Sequence, residues 1–331
     1  NALLLNFLMN FKPITLLHYQ DLEIDAAFQM GFLKNKFLKK LLFKWEKKTI
    51  SKFDYVSTIS RRMLKKILEK NLKSSKTLYL PNWVDTSEIF PIENSKNNSY
   101  RKQLKITEEK IIFMYSGSMN EKQGIELLAA LASHQFNNKN ILWIFSGEGP
   151  SKRKLVAQTS HLENVIICPL QPLSRINEWI NLADVHIIPQ KDEASDLVLP
   201  SKLMAILSSG KPFITTTSPN SEMGLIAKNA GIVVYPHNNL NELINAVELL
   251  ASNPSLRKKL GNAARKIAKN NFDKVTEINQ NYAPAYFNKA KLLTNADDYE
   301  EARKNYETAI DIDEDYTEAH YYMAKLLSGG I

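Results

Sequence analysis

The chain has 331 residues, 44% of them apolar, which is enough to bury the cores of about two or three domains. No apolar run reaches the roughly 20 residues that a helix needs to cross a bilayer, since Asn6, Asn10 and Lys12 interrupt the apolar opening. That opening also lacks the basic start of a signal peptide. Cys168 is the single cysteine, so no intrachain disulfide can form, which favours the cytoplasm.

The net charge of +8 is unevenly distributed along the chain. Residues 34–76 are densely basic, whereas the sequence after Asp297 is acidic. A basic block can serve nucleic acid, an anionic membrane or solubility. Because the block lacks aromatic residues interleaved for base stacking and no nucleic-acid motif is present, we expect no nucleic-acid partner.

The first predicted helix of this basic block is amphipathic. Its apolar residues fall together on one side, with lysines around them: Phe37, Leu38, Leu41, Leu42 and Trp45. Two interpretations stay open. The apolar side is buried in the core beneath a charged exterior, or residues 34–48 attach the protein peripherally to anionic lipid headgroups at the inner face of the cell membrane.

The middle of the chain alternates strands and helices. Strands are predicted at 111–117, 141–147, 165–170, 185–190, 212–217 and 232–236, with one amphipathic helix between each pair. Short apolar strands separated by single helices indicate a parallel sheet covered on both faces. This pattern predicts a complete doubly wound α/β unit.

The segment before this unit contains only part of a second one. Strands are predicted at 14–21 and 54–60, and helices at 34–50 and 61–71, which are too few for an independent sheet. Residues 81–100, rich in Pro, Asn and Ser, are typical of an interdomain connection. We therefore predict a partial N-terminal unit over residues 1–90 and a complete unit over residues 91–275.

The last segment, residues 276–331, contains an internal repeat. Positions 34 residues apart match, as in Ala290 with Ala324 and Leu292 with Leu326, and Tyr306 and Ala309 lie on the helix between them. This spacing resembles the tetratricopeptide repeat, an all-α unit that often binds proteins. About three repeats are usually needed for a stable core, so we expect the tail to dock on the body, to continue beyond this sequence, or to be poorly ordered.

Two glycine-bearing turns follow neighbouring strands. The first, YSGSMNEKQG, contains Gly117, Lys122 and Gly124, and the second, SGEGPSK, starts at Ser146 and ends at Lys152. Carboxyl ends of parallel strands form one crevice, where helix N-termini attract phosphate. Either turn alone is equally well explained by turn geometry.

The third motif, DLVLPSKLMAILSSGKP, follows a polar loop after a buried strand. Pro200 suits the first turn of a helix, and Ser201 and Lys202 would lie at a second phosphate-attracting N-terminus. The alternative is a capped helix whose Lys202 faces solvent.

These motifs, together with PNWVD and LADVHIIPQ, resemble the retaining glycosyltransferases of family 4. Within that family they are most similar to enzymes of colanic-acid and related exopolysaccharide synthesis, from about His18 to Phe272. The resemblance implies a GT-B fold and transfer of a sugar from a UDP- or GDP-sugar, with retention and without a metal or other cofactor. It also implies that the N-terminal domain is truncated, because no glycine-rich loop precedes Asn1.

The resemblance assigns roles to residues of the three motifs. Lys122 and Lys202 would be catalytic cations at the donor diphosphate, Leu170 and Gln171 would lie near the base, and the loop from Asp196 to Leu199 would contact the sugar or ribose. The whole implied donor site comprises Gly117, Ser118, Lys122, Gly124, Gly147, Glu148, Gly149, Leu170, Gln171, Asp196, Val198, Leu199, Ser201 and Lys202. His18 and Asp21 are the candidate catalytic residues on the acceptor side.

The predicted function is transfer of a sugar to a lipid-linked or polysaccharide acceptor in exopolysaccharide or cell-surface glycan synthesis. The alternative is an inactive nucleotide-sugar-binding body that acts as an adaptor through its repeat tail. No His, Cys or carboxylate spacing indicates a metal site: Asp311 and Asp313 match a DxD motif but fall at the end of a repeat helix.

Overall fold

The computed structural model describes residues 15–29, 31, 33–70, 72–82, 84–92, 98–120, 123–192, 197–278, 283–294 and 298–328. Among these residues, no helix combines the length and the apolar character that crossing a bilayer requires.

The N-terminal unit is a small parallel sheet with three helices. Its elements are β1 Leu16–Tyr19, α1 Glu23–Gln29, α2 Lys36–Ile50, β2 Tyr55–Thr58, α3 Arg61–Glu69 and β3 Thr77–Tyr79. The strands pair in the order β1-β2-β3, all parallel. Both predicted strands are confirmed, but β3 was missed because three residues are too few to show a periodicity.

The central unit is a six-stranded parallel sheet. Its elements are α4 Ser99–Gln103, β4 Ile111–Ser116, α5 Glu126–His134, β5 Ile141–Ser146, α6 Lys152–Thr159, β6 Val165–Cys168, α7 Ile176–Leu182, β7 Val185–Pro189, α8 Lys202–Ser208, β8 Phe213–Thr216, α9 Glu222–Ala230, β9 Gly231–Val233, α10 Leu240–Ser252 and α11 Pro254–Ile278. The strand order is β6-β5-β4-β7-β8-β9, so the predicted doubly wound α/β fold is confirmed.

Strands of the central sheet are apolar on both faces because helices cover both. Every residue of β5 is buried, and Phe113, Trp143 and Phe145 pack on one face with ring centroids 5.2 and 6.1 Å apart. Cys168 is buried on the opposite face, and burial raises the pKa of its thiol. Cys168 therefore serves the packing of this face.

The two sheets share one hydrophobic core. Leu22 of the N-terminal unit packs in the same cluster as Leu197, Val198 and Leu199 of the central unit. The Leu22 amide donates to the Leu197 carbonyl at 3.1 Å, and Asp21 and Val198 form an antiparallel bridge. Apolar packing and backbone hydrogen bonds therefore join the two units directly.

Helix α2 exposes three of the five apolar residues that the sequence placed on one side. Phe37, Leu41 and Trp45 are 78%, 54% and 61% exposed. The side packed on the body carries Ile50 and the buried Glu46, whose carboxylate binds Lys70 at 2.6 Å. The interpretation of these residues as one core-facing side is therefore correct only in part: Leu38 and Leu42 are half-buried, whereas Phe37, Leu41 and Trp45 are exposed.

The repeat tail contains α12 Ala283–Thr294, α13 Tyr299–Ile312 and α14 Thr317–Leu327. Small residues at the centre, such as Ala290 and Ala309, let the helices approach, and Phe287 packs among Tyr306, Tyr316 and Tyr322 at 5.1–5.9 Å. Helix α11 of the central unit is continuous across the predicted boundary at residue 275 and contacts α12. The tail therefore continues directly from the last helix of the central unit.

Candidate functional site

A cavity of about 500 Å³ lies at the point where the order of the central sheet reverses. Strands β4 and β7 are neighbours there, and their helices cover opposite faces, which leaves a crevice beyond their carboxyl ends. The lining residues come from β1, from the turn after β4 and from the loop leading into α8: Gln20, Asp21, Gly117, Ser118, Asn120, Gln123, Val198, Leu199, Pro200, Ser201 and Lys202.

The structure thus brings together seven residues that the sequence assigned to the site. They are Asp21, Gly117, Ser118, Val198, Leu199, Ser201 and Lys202. Lys122 and Asp196, which were also assigned to it, lie outside the described residues.

The first glycine turn forms the floor of the cavity, and the second supports it from behind. The Gly117 amide donates to the Ser146 carbonyl at 2.9 Å, and the Met119 amide donates to the Glu148 carbonyl at 2.8 Å. A Cβ on Gly147 would lie 1.9 Å from the Gly117 oxygen, and one on Gly149 would lie 2.5 Å from the Met119 oxygen. Gly147 and Gly149 therefore allow close packing of the two turns and do not line the cavity.

Lys202 is the cation at the floor of the cavity. Its Nζ lies 3.7 Å from the centroid of the Tyr115 ring and packs against the Cα of Gly117, where an added Cβ would be only 3.2 Å away. Burial lowers the pKa of the Lys202 amine to about 7, although the ring face opposes this shift by stabilising the ammonium. Lys202 thus faces the cavity and not solvent, and its charge depends on what occupies the cavity.

The wall formed by Val198 and Leu199 is held by a buried amide. Gln190, which follows β7, donates from Nε2 to the Val198 carbonyl at 3.0 Å, and its Oε1 accepts from the Thr217 hydroxyl at 3.2 Å. Its backbone amide donates to the Thr216 hydroxyl at 3.0 Å. The loop is therefore fixed from the sheet side, while Leu197 points into the shared core.

The opposite wall comes from the end of β1. Gln20 and Asp21 line the cavity there. His18 does not line it but is hydrogen-bonded to the Gln20 side chain. Gln20 Nε2 donates to His18 Nε2 at 2.8 Å, so His18 Nδ1 carries the proton and donates to the Ser57 hydroxyl at 2.8 Å. Burial lowers the pKa of the His18 imidazole, which favours this neutral form.

Several other assigned residues do not line this cavity. Leu170 and Gln171 follow β6, where Leu170 is exposed and Gln171 donates to the Pro169 carbonyl. Glu148 forms an exposed ion pair with Lys152. Gly124 takes a left-handed turn with φ 62° before α5, where Leu127 and Leu128 donate to carbonyls of that same turn. The first turn of α5 therefore offers fewer free amides than the sequence suggested.

Sequence reasoning missed three residues of the site. Asn120 and Gln123 line the cavity between the two glycines of the first motif, and the side-chain Oε1 of Gln123 is buried without a partner among the described residues. Tyr115 supplies the ring beneath Lys202. All three occur in the first motif, YSGSMNEKQG, but polar residues in a turn and an aromatic residue in a strand have no distinctive spacing that would mark them as site residues.

A family model described as "Glycosyl transferases group 1" matches residues 96–267, more than half of the chain. The chain belongs to this family. Two further models, "TPR repeat" and "Tetratricopeptide repeat", match residues 291–328 and 271–304, which confirms the repeat tail. Among the described residues of this group 1 glycosyltransferase, no three His, Cys, Asp or Glu side chains are placed to hold a metal ion.

Individual known proteins are similar to this chain in sequence or in fold. The putative colanic acid biosynthesis glycosyl transferase WcaI of Escherichia coli strain K12 is 30% identical over 272 residues, which are 80% of this chain and 66% of WcaI. Sucrose-phosphate synthase from Thermosynechococcus elongatus superimposes with a TM-score of 0.64 at 17% identity, covering 81% of this chain and 66% of that one. Anabaena Alr3699/HepE in complex with UDP and glucose gives 0.64 at 14% identity, covering 80% and 69%. These likenesses confirm the predicted GT-B fold.

Proposed function

We propose that this glycosyltransferase moves a sugar, with retention and without a metal, from a UDP- or GDP-sugar to a lipid-linked or polysaccharide acceptor. The proposed process is exopolysaccharide or cell-surface glycan synthesis. Support comes from the family, from the name of the WcaI relative and from the UDP and glucose bound to HepE.

The placement of Lys202 carries this proposal. A nucleoside diphosphate brings two phosphates and leaves with increased negative charge, so an ammonium held at the cavity floor stabilises the leaving group in advance. Burial disfavours the charge when the cavity is empty, so with a pKa of about 7 roughly half of the Lys202 amines are charged at pH 7. Diphosphate binding restores the charge, and the contact then combines Coulomb attraction with a hydrogen bond.

We assign the remaining wall residues by the chemistry they offer. The backbone amide of Ser118 suits a phosphate oxygen, since the Gly117 amide already donates to the Ser146 carbonyl, and Ser201 beside Lys202 adds a hydroxyl donor. Asp21 and Gln20 face the cavity from the acceptor side. His18 acts through Gln20, because its hydrogen bond fixes the orientation of the Gln20 amide.

The test is isothermal titration calorimetry with UDP, GDP and a panel of nucleotide sugars. Lys202→Ala is expected to weaken binding by roughly 10- to 100-fold, the range for a charge-assisted hydrogen bond of about 1.5–3 kcal/mol. Lys152→Ala is the matched control, because Lys152 follows the second glycine turn but pairs with Glu148 outside the cavity. Equal affinities for wild type and Lys202→Ala would remove the basis of the proposal.

The repeat tail supports a second candidate, an adaptor that captures a protein partner. The supporting observation is the exposure of Tyr321 and Leu327 on the last helix, at 63% and 64%. Changing both to Ser is expected to abolish partner capture under the adaptor hypothesis and to leave sugar transfer unchanged under the enzyme hypothesis. Capture and transfer measured on the same variant discriminate between the two.

A further inference from the structure

We infer that α2 is a membrane-docking helix whose exposed apolar stripe inserts into the headgroup region of an anionic bilayer. The stripe consists of Phe37, Leu41 and Trp45, spaced four residues apart on one side of the helix. It spans about 12 Å along the axis at a rise of 1.5 Å per residue. Exposed large apolar side chains in a continuous row are not explained by packing, since nothing in the described protein covers them.

Charge selects an anionic lipid surface as the occupant. Helix α2 carries six lysines and one acid, Glu46, and that acid is buried and bound to Lys70. The outward-facing charge of the helix is therefore wholly positive. Lys40, Lys44 and Lys48 lie beside the stripe, where their ammonium groups can reach lipid phosphates while the apolar side chains enter the interface.

The residue types also suit a lipid interface. Trp45 and Phe37 are aromatic, and aromatic residues are enriched at the boundary between headgroups and acyl chains. Lys44 and Lys47 also line a cavity of about 400 Å³ with Lys66 of α3, where Asp25 and Glu69 contribute acidic side chains as well. The positive charge beside the stripe therefore comes from the lysines of α2 itself.

The helix is held rigidly from its opposite side. Lys70 binds Glu46 and Asp25 at 2.6 Å each, which fastens α2 to both α1 and the end of α3. Phe43 packs on Phe28 of α1 with ring centroids 6.1 Å apart. The stripe is thus presented in a fixed orientation, so membrane binding needs no refolding of the helix.

The location of α2 is suited to a lipid-linked acceptor. This point rests on the proposed function, whereas the inference that α2 docks on a membrane does not. Helix α1 follows Asp21 by two residues and packs on α2. A membrane bound at α2 therefore lies one short helix away from the acceptor wall of the cavity.

The test is co-sedimentation of the full chain with vesicles of phosphatidylcholine alone or of phosphatidylcholine and phosphatidylglycerol at 70:30, in 0.1 M salt. We expect binding to the anionic vesicles and little to the neutral ones. Phe37→Ser with Leu41→Ser is expected to weaken binding at least about 10-fold through the lost apolar insertion. Its control is Leu225→Ser, which changes an exposed apolar residue on α9.

A second variant tests the charge. Lys40→Gln with Lys44→Gln and Lys48→Gln is expected to weaken binding on the order of 100-fold, since each lysine near an anionic surface contributes about a factor of five. The control changes three exposed lysines of α11, Lys258, Lys259 and Lys269, to Gln and leaves binding unchanged. UDP affinity, measured in parallel, reports on the donor site independently of vesicle binding.

Trp45 gives a direct signal of insertion. A blue shift of the fluorescence on adding anionic vesicles that is absent in Trp45→Phe reports entry of this side chain into the interface, because the variant keeps Trp83, Trp143 and Trp179. Equal binding to neutral and anionic vesicles, or unchanged binding of the stripe variant, overturns the inference. So does a dimer in sedimentation velocity that Phe37→Ser with Leu41→Ser dissociates while vesicles bind neither form.

Discussion

Donor affinity should depend on pH through one group, the Lys202 amine. Burial lowers its pKa from 10.5 to about 7 in the empty cavity. Bound diphosphate favours the charged amine and raises that pKa again, so binding takes up a proton. The free amine is almost fully protonated well below pH 7 and loses its proton as the pH rises through 7, and affinity must fall with it.

The magnitude follows from the protonated fraction of the free protein. With a pKa of about 7, roughly one quarter of the Lys202 amines are charged at pH 7.5 and about 1% at pH 9. If the bound amine stays charged throughout, the dissociation constant rises about 25-fold, or about 1.9 kcal/mol. The terminal phosphate loses its last proton near pH 6, so it adds little over this range.

Calorimetry of UDP binding at pH 7.5 and pH 9 measures the effect. Repeating the pH 7.5 titration in buffers of different ionisation enthalpy should reveal uptake of roughly three quarters of a proton. Lys202→Met should bind weakly at both values, and Lys202→Arg should remove the pH dependence because a guanidinium stays charged. A wild-type dissociation constant that is unchanged between the two pH values, with no proton uptake, would refute the reasoning.

Three further changes test the packing around the site. Gly147→Ala should destabilise the central unit by about 3 kcal/mol or more, seen in urea unfolding, because the added Cβ meets the Gly117 oxygen at 1.9 Å. Lys70→Met should lower the free energy of unfolding by about 3–5 kcal/mol, because it leaves the buried Glu46 carboxylate without its ammonium partner. Lys73→Met, at an exposed position, is the control. Phe287→Ala should speed hydrogen exchange in the helices of residues 283–328 without changing UDP affinity. Weaker UDP binding by this variant would contradict the separation of tail and site.

The sequence predicted the central sheet well because strands buried on both faces form continuous apolar runs. β4, β5 and β7 all begin at the predicted residue, and their ends fall within two residues of the prediction. The last positions differ where a turn takes over, as at Gly117, whose φ of 138° leaves the extended region.

Parts of the site could not be predicted because they depend on contacts between distant segments. The contact between Lys202 and the Tyr115 ring joins residues on α8 and β4, and neither residue type predicts a contact with the other. The sequence identified the apolar residues of α2 but left two interpretations of them open, because a helix with lysines on several sides offers more than one face that its neighbours can cover. Periodicity identifies the helix, and only the packing of Glu46 and Ile50 identifies the side that faces the body.

The shared core of the two units has a consequence for how the cleft operates. Separating Leu22 from Leu197, Val198 and Leu199 would expose apolar side chains to water and break the Leu22 to Leu197 hydrogen bond together. Wide opening of the cleft is thus disfavoured by the same residues that shape the donor wall. A central unit produced alone would expose this apolar wall and lose the segment that packs against it, so the small N-terminal sheet is needed to give the cavity its form.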